Sequence, residues 1–187
     1  AEVFLYDVIG YETTADAFVR ELAAIDAPAI DVRVNSPGGL VWHGTAIYAA
    51  LRNHPARITV RVDGIAASAA SFVAMAGDEI VMERPARMMI HNAQGIAIGD
   101  PTVMREMADL LDELSDGIAD IYAERAGGGR STWRNAMNAT TWYSAQQAVD
   151  ARLADRVAKP PARQTNRIDQ RTQQIRARAR ATLERVR

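Results

Sequence analysis

The stretch Ile58-Thr-Val-Arg-Val62, running without a break into Asp63-Gly-Ile-Ala-Ala-Ser68-Ala-Ala-Ser71, decides how this chain is read. Its first half has the β-branched apolar character of a buried strand. Its second half is almost entirely glycine, alanine and serine, and sets Ser68 at a strand-to-helix turn. Small neighbours let a second backbone approach that hydroxyl closely. Further on, the apolar run Met88-Met-Ile-His91 brings an imidazole to another strand end. A serine and a histidine, each closing a buried strand, point toward acyl-transfer chemistry.

Working outward, Val3–Ile9, Ala29–Val34, Glu79–Met82 and Arg87–Ile90 read as further strands, and 14–25, 42–53 and 68–76 as helices. This alternation predicts an α/β fold with a mostly parallel sheet and right-handed crossovers. Asn35-Ser-Pro-Gly-Gly39 reads as a turn. From Asp100-Pro101 a long helix is expected, capped by the aspartate, with Val103, Met107, Leu110, Leu114, Ile118 and Ile121 on one stripe, ending near Gly127-Gly-Gly129. Two shorter helices, 131–137 and 144–151, flank a connector, Asn138-Ala-Thr-Thr-Trp-Tyr143. In a parallel sheet, Ser36–Gly39, Ser68 and His91 all fall at the carboxyl edge. The N–H groups of Gly39 and Ala69 are then candidate donors to an oxyanion.

Composition bounds the rest. The chain has 187 residues, 48% apolar and 24% charged, enough for one domain, placed at 1–159. A tail, 160–187, is expected to be helical or disordered, because residues 161–187 carry eight arginines against Asp169 and Glu184. It reads either as an electrostatic arm for nucleic acid or an acidic partner, or as a linker helix. It holds no aromatics to stack on bases. Cysteine is absent, which excludes disulfides and thiolate chemistry, and three scattered histidines argue against a metal site. No cofactor is expected. No run approaches about 20 apolar residues and no signal peptide is evident, so no membrane contact and a soluble, cytoplasmic protein are expected.

Asn35-Ser-Pro-Gly-Gly39, Gly64-Ile-Ala-Ala-Ser68 and Met89-Ile-His91 together resemble the proteolytic subunit of Clp-type serine proteases, and within it the compact phage-encoded head maturation group. The resemblance covers about residues 3–157 and extends to Val60-Arg-Val-Asp-Gly64, Ala74-Met-Ala-Gly-Asp-Glu-Ile80 and Thr141-Trp142. It implies the Clp/crotonase spiral of ββα units with a long handle helix. It implies Ser68 as nucleophile, His91 as general base, Gly39 and Ala69 as the oxyanion hole, and Ser71 as a packing residue. It also implies a polypeptide substrate laid extended beside Gln94–Gly99, touching Gly38, Gly95 and Ile96, and a homo-oligomer of rings meeting through the handle. Phage scaffold or capsid proteins are the implied substrates, in the host cytoplasm or the assembling prohead. The first strand begins almost at once, so either the axial segment of ATPase-coupled relatives was trimmed or no ATPase docks; the phage-like resemblance implies the second, and a Clp ATPase stays an open partner.

Two departures from the family stand out. Where the family carries the acidic third member of its triad, this chain has Thr140, and no carboxylate occurs between Arg134 and Val149. Thr140, Asn138 or a water could orient His91, a carboxylate could come from elsewhere, or the chain could be impaired. Leu40-Val-Trp-His43 also replaces acidic residues; His43 is read as exposed loop and His54, before Pro55, as structural. A hydratase acting on a thioester within the same fold has no use for the Ser68/His91 pair. A capsid assembly or scaffolding subunit without catalysis is the competing class.

Overall fold

A computed structural model describes residues 1–160. The expected arginine-rich tail lies outside the described residues. Seven strands form one sheet: β1 (Glu2–Ile9), β2 (Ala29–Gly39), β3 (Arg57–Ala67), β4 (Glu79–Met82), β5 (Arg87–Ile90), β6 (Thr141–Ser144) and β7 (Arg156–Val157). Six helices connect them: α1 (Ala15–Ala23), α2 (Val41–Arg52), α3 (Ala69–Ala74), α4 (Pro101–Ala126), α5 (Arg130–Asn138) and α6 (Ala145–Asp150). The order is β1-β2-β3-β4-β7, with β5 branching from β3 and β6 from β5; only the β5–β6 pair is antiparallel. The α/β architecture with a mostly parallel sheet is therefore the one that forms.

Strand alternation explains the layering. Val3, Leu5 and Ile9, Ile30, Val32 and Val34, and Ile58, Val60 and Val62 point inward and are buried beside Phe18, Leu22, Ile47, Leu51 and Phe72 of the first three helices. Each such side chain contributes about 1.5–3 kcal/mol by leaving water. The opposite face is polar: Arg33 reaches Asp63 and Glu2, Arg61 reaches Asp31, and the Tyr6 hydroxyl donates to Asp63 at 2.7 Å. Helix starts follow their caps. Thr14 accepts from the Ala17 N–H, Asp100 accepts from Thr102 and Val103, and Ser144 forms a capping box with Gln147.

Strand β3 carries two partners in succession. Thr59–Val62 pairs with β4, and Ile65–Ala67 pairs with β5. The sheet turns at that change of partner.

Several local expectations are corrected. Asn35–Gly39 is no turn but the end of β2, with a register shift between Val34 and Ser36 and no ladder partner for Pro37. Proline has no N–H to give a ladder, and the irregularity accommodates it. Asp63–Ala67 likewise continues β3 rather than turning, so the strand reaches right up to Ser68. The connector 138–143 runs into β6, which takes Ser144 as well, and Arg156–Val157 adds β7 beside β4. His43 lies within α2, not in a loop, and its Nδ1 accepts the Ala15 N–H at 3.0 Å, closing the first turn of α1.

Half of the long helix stands apart from the core. From Pro101 to Leu114 no residue of α4 is buried, whereas Ser115, Ile118, Ala119, Tyr122 and Ala126 are. The expected stripe is thus core-facing only in its second half.

Candidate active site

Ser68 joins β3 to α3 at φ 53°, ψ −124°, a backbone conformation that a side chain adopts only at a cost of order 1–3 kcal/mol. Its surroundings impose it. The Ser68 N–H donates to the Met89 carbonyl at 3.0 Å, pinning the residue to β5, while its own carbonyl turns back to accept the Ser71 N–H. The side chain is thereby pushed out of the sheet edge, half-exposed, into a cleft of about 220 Å³.

His91, one residue past the end of β5, faces it. Its Nε2 lies 2.7 Å from Ser68 Oγ, hydrogen-bond distance for transferring a proton between them. Burial lowers the imidazole pKa below its ordinary value, so the ring is neutral at pH 7 and its Nε2 lone pair is available once Nδ1 carries the proton. The cleft is lined by Gly39, Ser68, Ala69 and His91, with Phe72 and Ile118 as apolar walls.

Gly38 explains how β2 reaches Ser68. At φ +99° it passes so close that a Cβ there would lie 2.6 Å from the Ala67 carbonyl oxygen and 2.6 Å from Ser68 Cβ. Its N–H is held by Ser36 Oγ at 3.1 Å, and Ser36 is fully buried. Gly38 is thus a backing residue behind Ser68, and Gly39 is the one of the pair that borders the cleft. Gly95 packs on Met107 and Leu111 of α4, and Ile96 is 89% exposed; neither lines the cleft, though Gln94 does.

The β5–β6 ladder ends at the Ile90–Thr141 pair, so His91 and Thr140 are the residues next beyond it on the two strands. Thr140 is exposed, at φ 51°, and among the described residues its hydroxyl has no hydrogen-bond partner. Nor, among the described residues, does any carboxylate bond to His91. Asn138 is otherwise engaged: its Oδ1 accepts from Asn92 Nδ2 at 2.6 Å, and Asn92 Oδ1 accepts from Arg134, which also pairs with Asp112 and Asp116. This network and the bond from the Ala93 N–H to buried Ser115 (3.0 Å) fasten the segment after His91 to α4 and α5. Sequence reasoning missed these anchors, of which Asn92–Asn138 spans 46 residues and Ala93–Ser115 spans 22 along the chain. Ser71, expected only to pack, also donates to the Ser68 carbonyl at 2.5 Å.

A family model described as Clp protease matches residues 1–161. The chain belongs to the Clp protease family. The ATP-dependent Clp protease proteolytic subunit of Pleurastrum terricola is 33% identical to it over 137 residues, 71% of this chain and 69% of that protein. That of Chlorella vulgaris is 30% identical over 68% of this chain and 64% of its own length, and subunit 1 of Chlamydia abortus is 29% identical over 82% and 83%. Five such subunits, the C. vulgaris one included, are matched over only 61–66% of their length. The α/β sheet and helices of this Clp protease family chain accord with the family's fold. Among the described residues of this Clp protease family member, no three His, Asp or Glu side chains lie close enough together to hold a metal ion. No described helix is long and apolar enough to cross a membrane.

Proposed function

We propose that this chain is a serine endopeptidase that cleaves polypeptides through an acyl-enzyme. The observation that carries the reading is the 2.7 Å contact between Ser68 Oγ and the neutral His91 Nε2 beneath a strained nucleophile backbone. Ser68 Oγ attacks the scissile carbonyl carbon as its proton passes to His91 Nε2. The N–H groups of Gly39 and Ala69 receive the developing oxyanion. The imidazolium returns its proton to the leaving amine, and water then attacks the ester by the same route reversed. With Thr140 in place of an acid, the base is a Ser-His dyad whose imidazolium lacks a carboxylate, and turnover is slow.

The substrate is an extended polypeptide recognised through its backbone, and the working form is a homo-oligomer that covers the exposed apolar residues Val103, Met104 and Leu110 of α4. Processing of phage head or scaffold proteins is the preferred role, on the strength of the sequence motifs quoted above. The relatives' names are ATP-dependent, and an unfolding ATPase partner is the point on which this chain would differ under that role. Among the described residues no carboxylate bonds to His91, which favours one competitor, a non-catalytic assembly subunit. Labelling with a fluorophosphonate, read by intact mass, separates them. Single-site labelling that vanishes in Ser68→Ala and His91→Ala supports the peptidase; no labelling of folded, assembled protein leaves the assembly subunit.

A further inference from the structure

Ser71 and Tyr122 take no part in the steps above, yet both are buried against the site, at 0% and 1% exposure. Ser71 Oγ lies 2.5 Å from the Ser68 carbonyl oxygen and 2.7 Å from the Tyr122 hydroxyl. A serine hydroxyl has one hydrogen, and a carbonyl can only accept. Ser71 therefore donates to Ser68, and Tyr122 donates to Ser71. Burial pushes the Tyr122 phenol well above its ordinary pKa, which keeps it a donor throughout the working range. Its ring is held from the other side by Trp133, 5.7 Å away, whose indole N–H is tied to the Gly127 carbonyl.

The oxygen at the end of this chain matters. The Ser68 carbonyl and the Ala69 N–H belong to one planar peptide unit, so fixing the oxygen fixes the direction of the N–H. That peptide follows a residue at φ 53° and needs outside bonds to stay turned. Hydrogen bonds in series polarise one another, which makes the Ala69 N–H a stronger donor at its far end.

We propose that Tyr122 and Ser71 are positioning residues, a buried relay of two hydroxyls by which α4 sets the orientation and donor strength of the Ser68–Ala69 peptide. The proposal rests on the acyl-transfer reading of Ser68. Its ligand-facing consequence is stabilisation of the oxyanion, not binding of the substrate.

Tyr122→Phe keeps the ring and removes only the donor; Ser71→Ala removes the relay but keeps the Ser71 N–H bond to Ser68. Each is expected to slow fluorophosphonate labelling and kcat on a peptide substrate about tenfold, less than the hundredfold or more for deleting an oxyanion donor outright, with KM unchanged. Affinity for a peptide aldehyde, whose adduct carries the oxyanion, should fall by the same factor. The double variant should be no slower than Ser71→Ala, since both act through one chain of bonds. The Ala69 amide proton resonance should move upfield in both, a readout independent of turnover. Unchanged kcat and an unmoved Ala69 resonance in folded Tyr122→Phe and Ser71→Ala would overturn the relay while leaving the nucleophile intact. A loss that appears only in melting temperature, with full kcat in the folded protein, overturns it too. A parent protein that takes no label overturns both readings together, and so is told apart from failure of the relay alone.

Discussion

Replacing Thr140 by aspartate is the most informative single change. The antiparallel ladder ends at the Ile90–Thr141 pair, which leaves His91 and position 140 as the next residues on its two strands, and a carboxylate at 140 is expected at about the 4.5–5.5 Å spacing of cross-strand neighbours. A unit charge about 5 Å from an imidazolium, at an effective dielectric constant of about 20, is worth about 3 kcal/mol. His91 is half-buried and position 140 exposed, so solvent screening leaves about half of that. About 1.5 kcal/mol on the transition state in which His91 is protonated is roughly tenfold in rate. The backbone should gain as well, because a β-branched residue at φ 51° is strained where aspartate is better tolerated. Thr140→Asp is therefore expected to label with a fluorophosphonate about ten times faster than the parent without a lower melting temperature. The carboxylate should also raise the His91 pKa, so the acidic limb of the rate profile moves to higher pH. An unchanged rate together with an unmoved limb, in a folded protein, would refute the closeness of residues 91 and 140.

In the parent, burial holds the His91 pKa below its ordinary value of 6.5. The rate needs the neutral ring, so it should persist to more acidic pH than a free imidazole allows and fall only as pH drops through that lowered value; a kcat/KM midpoint above 6.5 contradicts this. The same shift means that His91 protonation favours the unfolded chain, so its stabilising contribution is present above 6.5 and is lost as pH falls below it. Gly38→Ala should cost about 2–4 kcal/mol in denaturant unfolding and at least a hundredfold in labelling, since its methyl would meet the Ala67 oxygen and Ser68 Cβ at 2.6 Å; near-parent labelling would show that β2 can retreat from the nucleophile. Met104→Glu, on the uncovered half of α4, should reduce the assembly seen by analytical ultracentrifugation while leaving the melting temperature of the subunit within about 1 kcal/mol-equivalent of the parent. An unaltered sedimentation profile would place the subunit contact elsewhere.

Most of the architecture was legible because periodicity carries it. The inward residues of β1, β2 and β3 alternate over enough positions to be counted, and Asp100 announces the helix it caps. What escaped was short or non-local. Residues 141–144 and 156–157 are too brief to show a period, and they become strands only because β5 and β4 offer edges. Asn35–Gly39 has the composition of a turn, yet neighbouring strands on both sides hold it extended despite Pro37. At the candidate site, the meeting of Ser68 and His91 was readable from their place on strand ends. The hydroxyl relay was not, because Tyr122 lies next to the apolar stripe of α4 and reveals its polar end only when α4 is laid over α3, 51 residues from Ser71.

The change of partner along β3 also sets when this chain can become reactive during its own synthesis. The half of β3 that leads to Ser68 is held by β5, and the outer edge of β5 is in turn held by residues 141–144. A ribosome that has released only the segments of Ser68 and His91 has delivered both side chains without the ladder that keeps them face to face. Competence thus arrives late, after Ser144 has left the exit tunnel, and nascent chains stalled short of Thr141 should take no fluorophosphonate label.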